Sequence, residues 1–282
     1  MLLVGGPQPT IGRAAIFSGS ITDQAEFVVQ ARGSDRDTQR DVLERAMNET
    51  TNDTQARIYQ ERADEYDALI AAEDADGLLR GALTERLSWQ GRRVADVGAG
   101  TGRLSRWFAP LAEHVDLIDR AAPMLEVARR RLQSDGVLGR VSTHVADVRS
   151  LPLEDGSVDI AAAGWVFGHF RHWMPDGWRQ EVGCAVEEMR RIVVPGGSII
   201  VIETLGTGHR EPRKHTGLDE YFAYLEELGF ERSWVRTDYE FADVDSAAET
   251  MGGFFGDELV AKIRKNQWRR VPECTALFSM TR

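Results

Sequence analysis

The sequence is poor in the residues that build disulfide frameworks and zinc sites. It has two cysteines, Cys184 and Cys274, and no Cys-x-x-Cys pair or Cys/His group at the spacing of metal ligands. It also lacks any run of about 18 apolar residues, the length that a membrane-spanning helix needs. The opening Met1-Leu2-Leu3-Val4 is too short for the apolar core of a signal peptide. We therefore expect a reduced, cytoplasmic protein with no membrane association and no metal.

Positive charge is scarce as well. Lys and Arg number 34 against 45 Asp and Glu, which gives a formal net charge of −11. This balance argues against nucleic acid as a partner, because gripping a phosphate backbone requires many Lys and Arg contacts. Two stretches reverse the balance locally, one from His209 to His215 and one from Lys262 to Arg270 around Trp268. They suggest an anionic ligand, although basic residues on one side of a helix are usually only a solvated face.

The 282 residues divide by pattern into three parts. Residues 1–52 read as an N-terminal leader or arm, and residues 53–282 as one domain that begins with a mostly helical cover over residues 53–90. From Arg93 onward strands and helices alternate, and a helical insertion over residues 243–272 precedes the last strand. The predicted strands are Val94–Val97, Val115–Ile118, Val141–Val145, Val158–Ala163, Ser198–Glu203, Trp234–Phe241 and Ala276–Met280.

The sequence also predicts helices between these strands, two of which have defined ends. One runs from Leu104 to Leu111, and a long amphipathic one carries apolar residues from Trp178 to Ile192 and is stopped by Pro195-Gly196-Gly197. Strands that alternate with such helices predict an α/β fold, a doubly wound and mostly parallel sheet with helices on both faces. Ligands of these sheets bind beyond the carboxyl ends of the strands, so functional residues are expected there.

The strongest local signal is the segment from Asp96 to Gly102, which reads Asp-Val-Gly-Ala-Gly-Thr-Gly. Alternate glycines let the backbone turn sharply and approach a ligand without Cβ clashes. A nicotinamide-binding fingerprint has the spacing GxGxxG. Here Arg103 follows Gly102, so that spacing fails and a nicotinamide dehydrogenase is disfavoured. The observed pattern is GxGxG with an acid two residues before the first glycine.

Two further acids follow the next strands. Asp119 comes at the end of the second predicted strand, where a carboxylate accepts two hydrogen bonds well from a ribose diol. Asp147 comes just after the third, before Leu151-Pro152, where an acid and a backbone N–H would meet an adenine edge. Taken alone, Asp119 is better explained as a solvated loop acid.

Five motifs in order resemble the class I S-adenosylmethionine-dependent methyltransferases, over about residue 54 to the C-terminus. They are Val94–Gly102, Ile118-Asp119 through Met124-Leu125, Ala146-Asp147 with Leu151-Pro152, Val158-Asp159, and Val194-Pro195-Gly196-Gly197. The resemblance is to the broad small-molecule branch rather than to one member. It implies a Rossmann-like fold with a seven-stranded, mostly parallel sheet whose last strand is antiparallel, and S-adenosyl-L-methionine as cofactor.

The resemblance also implies roles for individual residues. Asp96, Gly98, Ala99 and Gly100 match the loop beside the methionine part of the cofactor, and Gly164 and Trp165 match positions that line the same end. Asp119, with Arg120 beside it and Met124 in the same motif, matches the acid that binds the ribose. Asp147 matches the acid that recognises the adenine amine, with Val148 stacked nearby. Tyr66 resembles an aromatic that caps the cofactor, a role for which Tyr59 competes.

The implied activity is methyl transfer to an oxygen, nitrogen or carbon of a small molecule, with an anionic acceptor as one alternative. Such chemistry depends mainly on alignment and a dry pocket, and a base is needed only if the acceptor must lose a proton. His169 is the candidate base, with His172, Trp173 and Glu203 in reserve. A protein or RNA methyltransferase and a non-catalytic cofactor-binding regulator are the alternatives. The sequence leaves the oligomeric state open.

Overall fold

The computed structural model describes residues 69–214 and 217–282, apart from the side chain of His172. Several predictions lie outside the described residues: the leader 1–52, the cover up to residue 68 with Tyr59 and Tyr66, and His215. Of the predicted cover, residues 69–72 and α1 (Leu78–Leu87) are helical. Within the described ranges, no helix combines the length and the apolar character that crossing a membrane would take.

A seven-stranded sheet forms the centre of the described structure. Its strands are β1 (Arg93–Val97), β2 (His114–Asp119), β3 (Val141–Val145), β4 (Val158–Gly164), β5 (Val193–Thr207), β6 (Glu231–Arg236) and β9 (Glu273–Thr281). The strand order is β3-β2-β1-β4-β5-β9-β6. Strands β1 to β5 pair in parallel, whereas β9 runs antiparallel to both β5 and β6. The predicted mostly parallel sheet with an antiparallel last strand is confirmed.

Helices cover both faces of the sheet. They are α2 (Arg103–Phe108), α3 (Ala122–Ser134), α4 (Phe170–Trp173), α5 (Trp178–Ile192) and α6 (Asp219–Glu227), and 3₁₀ turns lie at Leu138–Arg140 and Phe167–His169. Alternate residues of each strand join different cores: Val94 and Ile160 pack with α1, α2 and α3, whereas Ala95 and Ala161 pack with α5 and α6. This two-sided burial explains the apolar runs in the central strands, such as Ala161–Ala163 in β4 and Ile199–Ile202 in β5.

Two element boundaries differ from the predictions. Helix α2 ends at Phe108 rather than near Leu111, since Pro110 has no N–H with which to continue the helical bonding. Helix α5 ends at Ile192, and the segment Pro195-Gly196-Gly197 lies inside β5 instead of stopping the helix. A Cβ at Gly197 would lie 2.6 Å from the carbonyl oxygen of Asp159, so glycine allows the strands to stay close there.

The segment predicted as one strand, Trp234–Phe241, is two. Strand β6 ends at Arg236, and β7 (Tyr239–Glu240) pairs with β8 (Arg270–Val271) in a separate two-stranded sheet. The break falls at Asp238, whose carboxylate accepts hydrogen bonds from three partners, the side chains of Arg236 and Arg270 and the N–H of Glu273. Between β7 and β8 lie α7 (Val244–Phe255) and α8 (Asp257–Asn266), which pack on each other through a small apolar core.

The order of the strands in the sheet determines where a ligand crevice opens. Strand β1 lies between β2 and β4, so the chain leaves β1 toward one side of the sheet and β4 toward the other. A crevice opens at the carboxyl ends of the strands wherever the order reverses in this way. The glycine segment follows β1 and Gly164-Trp165 ends β4, so both lie at this crevice.

Candidate functional site

The loop after β1 is built around glycines in the left-handed region. The φ angles of Gly98, Gly100 and Gly102 are +73°, +54° and +81°, values that side-chain-bearing residues rarely adopt. A Cβ at Gly98 would lie 2.5 Å from the Val166 side chain, and one at Gly100 would lie 3.3 Å from Met124 Cε. The glycines therefore allow both the turn and close packing against the segments after β2 and β4. The N–H groups of Gly98 and Ala99 both donate to the carbonyl of Ile118.

Asp119, at the end of β2, ties this loop in place. Its Oδ2 accepts the N–H of Gly100 at 2.9 Å, and its Oδ1 accepts the N–H of Ala121 at 2.8 Å. Burial raises the pKa of the Asp119 carboxyl, and the two N–H donors lower it in part. Each carboxylate oxygen keeps a lone pair for another donor. The residue thus holds the loop and presents acceptor atoms at the strand end.

Asp96 serves a different contact. Its Oδ2 accepts both the N–H of Ser105 at 3.0 Å and the Ser105 hydroxyl at 2.6 Å, so it anchors the first turn of α2 to β1. Burial raises the pKa of this carboxyl to about 6, despite the two bonds from Ser105, and the nearby Asp119 carboxylate adds to the rise. The Asp96 carboxylate therefore supports the loop from beneath.

Asp147, after β3, is clamped by an arginine that the sequence reading did not single out. The Arg149 guanidinium donates to both carboxylate oxygens at 2.8 and 2.7 Å, and the Arg149 N–H also donates to Oδ1. These bonds hold the pKa of the Asp147 carboxyl below its usual range. Arg149 also pairs with Glu181 on α5. The neighbouring Val148 is half-buried against the core.

A stacked group connects this acid to the candidate base. The Arg120 guanidinium lies 5.0 Å from the ring centroid of Trp173, and the His169 ring stacks on Trp173 at 5.0 Å with an interplanar angle of 11°. Arg120 also lowers the pKa of both Asp119 and Asp147 through its charge. His169 is exposed, so it is accessible at the same edge of the sheet. The structure does not describe the side chain of His172.

The residues after β4 meet a buried polar group. Trp165 adopts a left-handed φ of +57°, its N–H donates to Ile202, and the Arg103 guanidinium lies 4.1 Å from its ring centroid. Arg103 pairs with Glu73 at 2.8 Å, and the Tyr239 hydroxyl donates to the same Glu73 carboxylate. Arg103 thus links the glycine loop to the segment before α1. Gly164 fits beside α2, because a Cβ there would lie 3.0 Å from Leu104.

Two buried glutamates flank this edge. Glu203 on β5 accepts the Gly168 N–H at 3.0 Å and the Tyr221 hydroxyl at 2.8 Å, and burial raises its pKa to about 7. Glu273 on β9 accepts the Thr204 hydroxyl, and burial followed by the charge of Glu73 raises its pKa to about 8. Sequence reasoning singled out Glu203 only as a reserve base. It did not single out Glu273, which reads as a surface acid before an apolar strand.

The two basic stretches are close in space. The charges of Lys262 and Arg213 both act on His209 and, after burial, lower its pKa. Carboxylates neutralise much of the second stretch: Lys262 pairs with Glu258, Arg264 with Asp245, Arg269 with Glu240 and Arg270 with Asp238. A cavity of about 170 Å³ lies elsewhere, at the amino ends of β4 and β5, and contains none of the predicted site residues.

The described site residues fit an adenosyl cofactor in two respects. The glycine loop turns sharply and packs closely on Val166 and Met124, and the carboxylates of Asp119 and Asp147 stand at the carboxyl ends of the adjacent strands β2 and β3, where hydroxyl and amine donors can be bound. The loop, Asp119, Met124 and Val166 form one contiguous group, and Arg120 lies between the two acids Asp119 and Asp147. Among the described residues, no group of His, Cys, Asp and Glu is arranged to hold a metal ion.

Comparison with known proteins finds similarity to methyltransferases. Residues 95–201 match a methyltransferase domain model. The chain is 35% identical over 116 residues to the ubiquinone/menaquinone biosynthesis C-methyltransferase UbiE of Pseudomonas paraeruginosa, covering 40% of this chain and 42% of that protein. It is 30% identical over 167 residues to the malonyl-[acyl-carrier protein] O-methyltransferase of Serratia marcescens, covering 57% and 56%. The chain thus spans about half the length of these relatives.

Among solved structures, the [4+2]-cyclase SpnF is similar, with a TM-score of 0.50 and 19% sequence identity over 73% of this chain and 80% of that one. At this identity the likeness concerns the fold alone. The segment that matches the methyltransferase domain model, residues 95–201, contains the glycine loop, the acids Asp96, Asp119 and Asp147, and Trp165.

Proposed function

Since residues 95–201 match a methyltransferase domain model, we propose that the chain is a class I S-adenosylmethionine-dependent methyltransferase, which uses S-adenosylmethionine as its cofactor and transfers a methyl group to an oxygen, nitrogen or carbon atom of a small molecule. The observation that carries the proposal is the bond between Asp119 and the N–H of Gly100. It joins the left-handed glycine loop to a strand-end carboxylate that retains acceptor capacity, the two features that an adenosyl cofactor requires.

In this proposal the predicted residues hold the cofactor. The loop from Asp96 to Gly100 accommodates the methionine part, Asp119 receives the ribose hydroxyls, and Asp147 receives the adenine amine while Arg149 fixes its orientation. The cofactor, when bound, supplies an electrophilic methyl group on a sulfonium. The protein's own contribution is to align the acceptor with that methyl and to exclude water. Trp165 with Arg103 stacked on it, at the end of β4, serves both purposes.

A base is part of the proposal only for acceptors that must lose a proton. His169 fills this role best because it is exposed at the same edge and its ring is held on Trp173. Glu203 is fully engaged beneath the turn and does not reach the edge itself. Trp173 has no group that exchanges protons near neutral pH.

The acceptor is proposed to be a small molecule because both relatives are named for methylation in small-molecule or acyl-carrier chemistry. The anionic character inferred from the sequence receives limited support, since four cations of the second basic stretch already pair with carboxylates. Arg213, in the first basic stretch, acts by its charge on His209 and is a candidate anion contact. A cytoplasmic location stays a prediction from the sequence.

Calorimetric titration with S-adenosylmethionine, S-adenosylhomocysteine and NAD tests the cofactor. We expect binding of the first two and none of NAD, and binding of NAD alone would contradict the proposal. Because similar folds carry different activities, turnover needs its own test. Labelled S-adenosylmethionine supplied with panels of small hydroxylated, amino and carbonyl compounds, and separately with RNA and protein, distinguishes the proposed activity from its alternatives. Tight binding without transfer to any of them would indicate a regulator.

Two variants of Asp119 separate ligand binding from loop support. Asp119→Ala removes the acceptors of two backbone N–H groups, so we expect loss of both cofactor affinity and some stability. Asp119→Asn keeps one oxygen and about the same volume but loses the charge that strengthens its hydrogen bonds. Hydrogen bonds to charged groups contribute roughly 1.5–3 kcal/mol. We therefore expect Asp119→Asn to weaken S-adenosylhomocysteine binding at least about tenfold. Unchanged affinity would refute the ribose assignment.

A further inference from the structure

The turn that joins β4 to α4 rests on a buried carboxylate. We propose that Glu203 is a positioning residue that holds the turn Phe167–His169 and, through it, sets the cofactor loop and the orientation of His169. The inference rests on the proposed function, because it assigns to that cofactor site a residue that governs its shape. Glu203 itself is 4% exposed and lies in β5, which is separated by β4 from β1 and the glycine loop that follows it.

The first step is the contact between Glu203 and the turn. Its Oε1 accepts the Gly168 N–H at 3.0 Å and the Tyr221 hydroxyl at 2.8 Å. A Cβ at Gly168 would lie 3.2 Å from Oε2, so the backbone of the turn rests directly on the carboxylate. Tyr221 is fully buried on α6, and its hydroxyl holds the same carboxylate oxygen that receives the Gly168 N–H. The position of the turn therefore depends on this one side chain.

The second step runs from the turn to the site. Val166, the residue before the turn, packs so closely on Gly98 that a Cβ there would lie 2.5 Å from it. A shift of the turn therefore moves the wall against which the glycine loop packs. At the other end of the turn, His169 stacks on Trp173, which in turn contacts Arg120. One carboxylate thus supports the cofactor loop on one side and the candidate base on the other.

Ionisation decides how firmly the turn is held, since a carboxylate accepts hydrogen bonds more strongly than a neutral carboxyl. Burial raises the pKa of Glu203 to about 7, while Tyr221 and the N–H groups of Gly168 and Phe167 lower it in part. Tyr221 from α6 is the titratable group in contact with it, and His169 is the nearest titratable residue along the turn. The support of the turn consequently strengthens as the pH rises through neutrality.

The test is calorimetric affinity for S-adenosylhomocysteine across about pH 6 to 8.5, with the full-length protein. For the wild type we expect the affinity to rise with pH, by about tenfold if cofactor binding lowers the pKa of the Glu203 carboxyl by one unit. Glu203→Gln keeps an oxygen for the Gly168 N–H but is neutral and does not titrate, so it should bind with the low-pH affinity of the wild type at every pH and lose the pH step. Glu203→Met cannot accept the bond and should bind weakly at every pH.

Tyr221→Phe adds a directional check. Removing the hydroxyl takes away a bond that lowers the carboxyl pKa, so the midpoint of the affinity step should move to higher pH. The matched control is Asp116→Asn, which neutralises a buried carboxylate of β2 bonded to His144 and should retain the wild-type step.

The outcomes separate the two proposals. Normal binding with no difference in pH profile between the wild type and Glu203→Gln, or a Glu203→Met variant that binds as the wild type does, would overturn the positioning role alone. A wild type that does not bind S-adenosylhomocysteine at any pH would overturn the proposed function and this inference with it.

Discussion

Replacing Gly98 by alanine tests the central packing of the site. Two costs are expected. The left-handed backbone at φ +73° disfavours any residue with a Cβ by about 1–2 kcal/mol. The new Cβ would also lie 2.5 and 2.8 Å from the two methyl groups of Val166, and overpacking of this kind costs a further ~1–3 kcal/mol. We expect Gly98→Ala to lower the free energy of unfolding by the combined amount and to abolish measurable cofactor binding.

The chain offers a matched control for the first cost. Gly136, after α3, has nearly the same φ of +74°, but a Cβ there would meet no atom within 4 Å. Gly136→Ala should therefore carry the backbone cost alone and leave cofactor affinity unchanged. Val166→Ala removes the two clashing methyl groups, so the double variant Gly98→Ala/Val166→Ala should recover part of the stability that Gly98→Ala loses. Urea unfolding measures the stabilities, and calorimetry with S-adenosylhomocysteine measures the affinities.

The double-mutant cycle decides between the two costs. The coupling energy of Gly98→Ala with Val166→Ala should be favourable and at least about 1 kcal/mol, within the range found for residues in contact. Equal destabilisation by Gly98→Ala and Gly136→Ala, with no coupling to Val166, would refute the close approach of the loop to the segment after β4. Wild-type cofactor affinity in Gly98→Ala would refute the placement of the cofactor at this loop.

Two further predictions concern the buried polar group near Arg103. Burial raises the pKa of Glu273 to about 8 in the folded protein, so the stability that the protonated carboxyl contributes is full below its pKa in the unfolded chain and is lost as the pH rises through about 8. Glu273→Gln should therefore flatten the fall in urea-measured stability between about pH 5 and 9. An unchanged slope in this variant would contradict the prediction. Arg103→Met should lower the free energy of unfolding by ~3–5 kcal/mol, because it leaves the Glu73 carboxylate buried without its cation. Adding Glu73→Gln should restore most of this loss. Equal stability of the single and double variants in urea unfolding would refute the pairing.

The sheet could be predicted because its evidence is local and repeated. Central parallel strands are buried on both faces, which produces short apolar runs such as Ala161–Ala163 in β4. The edge strand β3 is only half-buried, yet it too has the predicted bounds Val141–Val145. The predictions of element boundaries were wrong where contacts between distant segments determine the local structure. The glycines after Pro195 looked like a helix stop, yet they belong to β5, because close contact between β4 and β5 at Gly197 outweighs their turn preference.

The candidate site divides along the same line. Residues whose role follows from a strand end, such as Asp119 and Gly100, could be placed from the sequence, and they do lie together. Partners brought in from distant segments could not: Glu73 reaches Arg103 across 30 positions, and Glu181 reaches Arg149 across 32. Nothing near Arg149 in the sequence indicates that it clamps the acid two residues before it.

The same division bears on function. The groups predictable from the sequence are those assigned to the proposed cofactor site, because they belong to the glycine loop and to the strand ends that the local pattern locates. The groups that only the fold reveals, namely Arg103 with Glu73, Arg149 with Glu181 and Glu203 with Tyr221, determine how rigidly those elements are held and with what charge. Arg103 and Glu203 also adjoin Trp165 and the turn that carries His169, the edge at which the proposed acceptor would bind. Differences in acceptor between relatives are therefore expected to arise from these supporting residues, while the cofactor loop stays the same.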